Sequence, residues 1–237
     1  MGTKDARIPE GGAIRDEDAM SAEEYGRLMI SRLEGEYRRF AKEALAYGKP
    51  PRGGLVLEIG PGPGWAGIML LKERPDLRLI GIDASEDMLR AASANAKAWG
   101  VAGRARYAPG SAEALEGAET GSADLVVSRD SLHHWENPLS AFASIARVLK
   151  PDGALYLSDE RRNISAAAWA FVAVFGWLSM GRFSRYWRSS IRAGYTAGEA
   201  RAFAAALVGR ERLVEEGFID LRIMAGPLAP AQDRRGA

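Results

Sequence analysis

The stretch "LVLEIGPGPGWAG", Leu55 to Gly67, runs from a short strand-like segment into four glycines within eight positions. Its first five residues are apolar except for Glu58, the pattern of a strand covered on both faces, and a glycine turn and a helix start follow at once. Bare backbone at the end of a strand lets a ligand come against the main chain. Without Cβ, Gly60, Gly62 and Gly64 tolerate positive φ, and the next helix presents N–H groups to any anionic portion of that ligand. A tight turn alone would need only one or two glycines.

Working outward, the apolar positions Tyr25, Leu28, Met29, Leu33, Tyr37, Phe40 and Leu45 recur at helical spacing from Ser21 onward and predict one or two N-terminal helices. Residues 1 to 18 read as loose. Downstream, "LVLEI" (55–59), "LRLIGI" (77–82), "ARYA" (105–108), "DLVVS" (124–128) and "GALYLS" (153–158) alternate with helical runs, the pattern of stacked βαβ units in a parallel sheet with helices on both faces. After Asp159 come an apolar stretch (164–181), an arginine-studded piece (182–192) and a helix opened by Thr196 with Glu199 at capping-box spacing. "GFIDLRI" (217–223) reads as the last strand. The expected organisation is one globular domain: tail and cap helices over 1–52, a core over 53–160, a helical insertion over 161–210, and a last strand and tail over 211–237.

The 32 basic and 31 acidic side chains nearly cancel, so no global field points to nucleic acid or a charged membrane. Cysteine is absent and there are two histidines, which removes thiol chemistry and makes a metal centre unexpected. The charged N-terminus has no apolar core of a secretory signal, and a cytoplasmic location is the expectation.

Asp83, at the end of the second expected strand, is the natural companion of the glycine turn. A carboxylate there can accept both ribose hydroxyls of an adenosine. The glycines alone leave the ligand open, because "GPGWAG" (62–67) also satisfies the dinucleotide fingerprint of nicotinamide enzymes.

Taken in order, "EIGPGPG", "GIDAS", "GSAEAL" (110–115), "ADLVVSRDSLHHW" (123–135) and "RVLKPDGALYLSD" (147–159) resemble the class I S-adenosylmethionine-dependent methyltransferases. The resemblance is to the small-molecule branch that includes ubiquinone and menaquinone biosynthesis. It covers roughly residues 53–160 and implies a Rossmann-like, doubly wound, mostly parallel sheet. It also implies S-adenosyl-L-methionine as cofactor, S-adenosyl-L-homocysteine as product and a small-molecule acceptor. By the same resemblance Gly60, Pro61, Gly62 and Gly64 would line the cofactor, with Glu58 near its aminoacyl part, Asp83 on the ribose, and Ala84 and Met88 beside the adenine. The family's third motif often reads glycine, aspartate, alanine; here Ser111 replaces the acid and Ala112 offers its backbone N–H. Ser128 and Arg129 would close the pocket at the end of the fourth strand. Ala84 and Met88 also fit a core helix face.

Methyl transfer from a sulfonium is an in-line displacement that positioning alone can accelerate, so a catalytic triad is not obligatory. Where an acceptor must lose a proton, Asp130, His133 and His134 stand just after the fourth strand. The histidines equally suit capping or packing on Trp135, and Arg129 and Asp130 equally suit pairing with each other. Two rival classes stay open: a nicotinamide-dependent oxidoreductase, and a noncatalytic adenosylmethionine-binding module.

Two expectations concern the C-terminal half. "ISAAAWAFVAVFGWLSM" (164–180) is too short and glycine-interrupted to be a stable membrane span; it reads either as a core helix or, with "GRFSRYWRSSIR" (181–192), as a lid over an apolar or aromatic acceptor. Arg182, Arg185, Arg188 and Arg192 would share one helix face. With "FIDLRI" taken as the sixth strand, the family's seventh is expected to be shortened or absent, leaving a sheet edge for the N-terminal helices or for the second subunit of a homodimer.

Overall fold

A computed structural model describes residues 7–8, 20–181 and 184–228. Five parallel strands form as the apolar runs require: β1 (Leu55–Ile59), β2 (Arg78–Asp83), β3 (Ala105–Pro109), β4 (Ala123–Arg129) and β5 (Leu149–Glu160). With β6 (Arg210–Glu216) and β7 (Asp220–Leu228) they build one seven-stranded sheet, ordered β3-β2-β1-β4-β5-β7-β6, in which β7 runs antiparallel to both neighbours.

The two-residue period of the strands sends alternate side chains to opposite faces. Val56, Leu125, Val127 and Tyr156 pack under α1 (Ala22–Gly48), α2 (Trp65–Glu73) and α3 (Glu86–Ala98). Leu57, Val126, Leu155 and Leu157 pack under α4 (Pro138–Val148) and α7 (Ala197–Ala204). Burying a leucine or isoleucine in either layer contributes about 1.5–3 kcal/mol.

Helix starts follow their caps. Ser21 and Glu24 form a reciprocal capping box at α1, and Thr196 and Glu199 form another at α7. The N-terminal periodicity resolves into one helix, kinked at Leu33, whose backbone leaves the helical region.

The end of the sheet corrects the sequence reading. Residues 210–216 form the sixth strand, and the segment read as the sixth belongs to the seventh, which continues through Leu228. The sixth strand escaped because "RERLVEE" carries five charged residues in seven; it is an edge strand and needs little apolar cover. Arg210 turns inward and donates to the carbonyls of Lys150, Gly153 and Gly226. The edge beside β5 that was expected to be open is thus filled by β7. Of the tail read over 224–237, residues 224–228 are strand and 229–237 lie outside the described residues, as do Arg182, Phe183 and most of residues 1–18.

The apolar stretch forms α5 (Ala166–Met180), followed by α6 (Ser184–Ala193). Ala168 and Val172 bury against Ile164 and Ile191, and Gly176 lies against the Trp187 ring. The opposite face is bare: Trp177 and Leu178 are each 69% exposed. A helix apolar on all sides needs two covered faces to be a core helix, and α6 covers only one.

Candidate functional site

The strand order reverses at β1, which has β2 on one side and β4 on the other, so a crevice forms at the carboxyl ends of these strands. The glycine loop sits there. Gly60, Gly62 and Gly64 have φ of 63°, 52° and 86°, the left-handed region that L side chains rarely adopt. A Cβ on Gly60 would fall on the Ser131 hydroxyl, so the loop after β1 leans directly on the loop after β4. A Cβ on Gly62 would meet nothing within 4 Å, so this part of the loop faces open space.

Asp83 ends β2 and binds the glycine loop. One carboxylate oxygen accepts the Gly62 N–H at 2.9 Å and the other accepts the Ser85 N–H at 2.9 Å. Glu58 lies beneath: one oxygen accepts the Gly67 N–H at 3.0 Å, and the other is buried without a hydrogen-bond partner among the described residues. Burial is the main cause that pushes the Glu58 carboxyl up to about 8, opposed by the Gly67 hydrogen bond and reinforced by the Asp83 charge. The Tyr107 hydroxyl is a second buried polar atom without a hydrogen-bond partner among the described residues, and burial followed by the Glu58 charge raises its pKa.

Ala84 is exposed and Met88 half-buried, and neither joins a core cluster. Ala112 packs with Ile82 and Leu115. At the third motif the Glu116 carboxylate accepts the Ser111 N–H at 2.7 Å, and that bond lowers its pKa. Pro61 is buried in the loop. Ser128 is fully buried and donates to the Ile59 carbonyl at 2.9 Å, tying β4 to β1 below the crevice.

Arg129 turns toward α1. It pairs with Asp130 at 3.0 Å, donates to the Glu36 carbonyl and stacks over the Tyr37 ring at 4.8 Å. This is the structural pairing the sequence left open. Asp130 has φ of 50°, a strained position for a non-glycine residue, and its N–H donates to the Ser158 carbonyl.

His133 has a partner that was not singled out from sequence. Asp159, near the end of β5, receives the His133 ring at Nδ1, 2.6 Å away, and the His133 backbone N–H at 3.1 Å. Both residues are 2% exposed. Burial works to raise the Asp159 carboxyl, yet the His133 ring and its hydrogen bonds hold it below the ordinary carboxylate range. Glu160, next in the strand, is driven well above its ordinary value by burial and then by the Asp130 charge. The His134 ring lies 4.0 Å from that of His133, but its residue is exposed. Among the described residues, His133, Asp159 and Glu160 are the group whose ligand atoms, within 4.8 Å of one another, lie close enough to share an ion. Arg7 straps this corner, donating to the carbonyls of His133 and Ala193 and lying over the Tyr195 ring.

The glycine loop is thus locked to the acid that ends β2, at the point where the strand order reverses. A methyltransferase domain model matches residues 57–157. Over that stretch the chain is similar to the S-adenosylmethionine-dependent methyltransferases. The uncharacterized methyltransferase YdaC of Bacillus subtilis is 34% identical over 116 residues, covering 49% of this chain and 61% of that protein. The ubiquinone biosynthesis O-methyltransferase of Ralstonia nicotianae is 33% identical over 156 residues, covering 64% and 63%. The chain spans roughly half to three-fifths of the length of these relatives. In fold it is similar to an S-adenosylmethionine-dependent methyltransferase from Aquifex aeolicus, with a TM-score of 0.64 at 18% identity over 87% of this chain and 98% of that one. No described helix of the chain is long and apolar enough to cross a membrane.

Proposed function

We propose that this protein transfers a methyl group from S-adenosylmethionine to a small, apolar or aromatic acceptor in the cytoplasm. The observation that carries the reading is the Asp83 carboxylate held on the Gly62 N–H at the switch point, where a ribose diol and a close-approaching backbone would meet. The residues fit the cofactor. Gly62 leaves open space at the loop, Asp83 offers acceptor oxygens for hydroxyls, and Glu58 brings a buried carboxyl whose second oxygen has no hydrogen-bond partner among the described residues.

When bound, the cofactor supplies an electrophilic methyl carbon on a sulfonium. The chain's own residues hold the acceptor and manage its proton. With Nδ1 of His133 bonded to Asp159, the proton-accepting atom of the imidazole is Nε2. Asp159 fixes that tautomer and stabilises the ring once it is protonated, and burial keeps bulk water from the pair. This supports His133 over His134 and Asp130 as general base, because Asp130 already pairs with Arg129. A buried, oriented histidine also favours an enzyme over a noncatalytic binding module, which has no use for it.

Calorimetry with adenosylhomocysteine and with NAD separates the donor classes: saturable adenosylhomocysteine binding and no tighter NAD binding are expected. Asp83→Ala should weaken adenosylhomocysteine by about tenfold or more, since each charge-assisted hydrogen bond is worth about 1.5–3 kcal/mol. Unchanged affinity in the folded variant would remove Asp83 from the site.

A further inference from the structure

Arg7 is remote in sequence from the site, yet its side chain ends beside His133. Nη2 of the guanidinium donates to the His133 carbonyl at 2.6 Å, and Nε donates to the Ala193 carbonyl at 2.8 Å. The same guanidinium lies 4.5 Å from the centre of the Tyr195 ring. The next residue, Ile8, gives its backbone N–H to the Arg192 carbonyl at 3.2 Å.

Both carbonyls that Arg7 takes stand at the ends of helical turns, where C=O groups have no partner within the helix. In the short turn Leu132–His134 the Ser131 and Leu132 carbonyls accept from the His134 and Trp135 N–H groups, whereas the His133 carbonyl accepts from Arg7. At the end of α6 the Arg192, Ala193 and Gly194 carbonyls accept from Ile8, Arg7 and Arg162. A cation suits a helix C-terminus, and the fixed fork of a guanidinium can serve two carbonyls and a ring face together. Arg7 therefore pins two separate elements to each other, the turn that carries His133 and the last turn of α6.

That pin completes the hold on His133. Asp159 takes its ring at 2.6 Å and its backbone N–H at 3.1 Å, and Arg7 takes its backbone carbonyl. A hydrogen bond as short as the ring's weakens steeply when its geometry is disturbed, so the ring keeps its aim only while its backbone is fixed. We propose that Arg7 is a positioning residue for His133, clamping the backbone of the base to the end of α6 so that Nε2 is presented at one place. The proposal rests on the reading of His133 as the base. The bonds described for Arg7 go to the His133 turn and α6, while the glycine loop is held by Asp83, so cofactor binding is left alone.

The test needs no acceptor. The chain has two histidines, so isotope-labelled histidine in the full-length protein gives two ring systems to follow by nuclear magnetic resonance. In the unaltered protein the His133 ring should carry its proton on Nδ1 and exchange it slowly with water. In Arg7→Ala, checked by melting curve to be folded, that proton should exchange about tenfold or more faster, the factor expected from losing one charge-assisted hydrogen bond. The backbone amides of β1 and β4 should keep their protection, and calorimetry should show unchanged adenosylhomocysteine affinity. Arg7→Lys, which keeps the charge without the fork, should give a rate between the two. An unchanged ring-proton rate in folded Arg7→Ala, or a loss of protection shared equally by the β1 and β4 amides, would overturn the proposal. A His133 ring without a proton on Nδ1 in the unaltered protein would instead overturn the base reading, and the proposal with it.

Discussion

Glu58 makes stability depend on pH in a way that one substitution should erase. The side chain is 2% exposed, and its carboxyl titrates near 8 in the fold against an ordinary 4.5. The folded chain therefore holds this proton more tightly than the unfolded chain. The stability associated with the protonated acid is fully present below about pH 4.5, falls as pH rises toward 8, and is flat above. A tenfold change in proton activity corresponds to about 1.36 kcal/mol, so going from about pH 5 to 8 costs the fold on the order of 3 kcal/mol from this group alone. Glu58→Gln removes the titration while keeping an oxygen for the Gly67 N–H. At about pH 5 both proteins place a neutral donor at the unpartnered position and should be similarly stable; at about pH 8 the variant should be more stable by on the order of 3 kcal/mol. Urea denaturation followed by circular dichroism across this range gives the comparison. Parallel pH profiles for the two proteins would refute a buried, proton-holding Glu58.

Asp159→Asn should lower kcat by about a hundredfold or more, with adenosylhomocysteine affinity nearly unchanged, because it releases the His133 tautomer but leaves the glycine loop alone; an unchanged kcat would remove His133 as the base. Gly60→Ala should lower the melting temperature well beyond the effect of Gly62→Ala. Both glycines are at positive φ, which costs an alanine about 1–2 kcal/mol, but the added methyl meets Ser131 only at position 60. Equal melting losses would show that the two loops do not touch in solution.

The sequence revealed what short-range rules govern. Strands buried on both faces appear as apolar runs, and both capping boxes are complete within four residues, so the core and its helix starts were legible. The positions of the glycine turn and of Asp83 were legible because both follow directly from strand ends. The Asp159 partner of His133 was not. Asp159 and His133 are 26 residues apart and meet only because β5 pairs with β4, which no local pattern encodes. Glu116 and Tyr107 escaped for the same reason, being placed by a turn and by the pairing of β3 with β2. For α5 the composition left a core helix and a lid both open, and only the packing of α6 decides which face stays bare. The sixth strand was missed because the usual apolar signal is absent where one side of a strand meets water.

That charged sixth strand has a consequence for how the molecule behaves in a crowd. An unpaired strand edge is a template on which another chain can add and from which fibrils can grow. Along β6, Glu211, Arg212, Glu215 and Glu216 are all exposed, and Arg210 is locked onto three carbonyls at the strand's start. Adding a strand there would strip water from a row of charges with no opposing row built to receive them. The sheet therefore stops at β6, and on this flank high protein concentration should favour separate molecules over end-to-end growth.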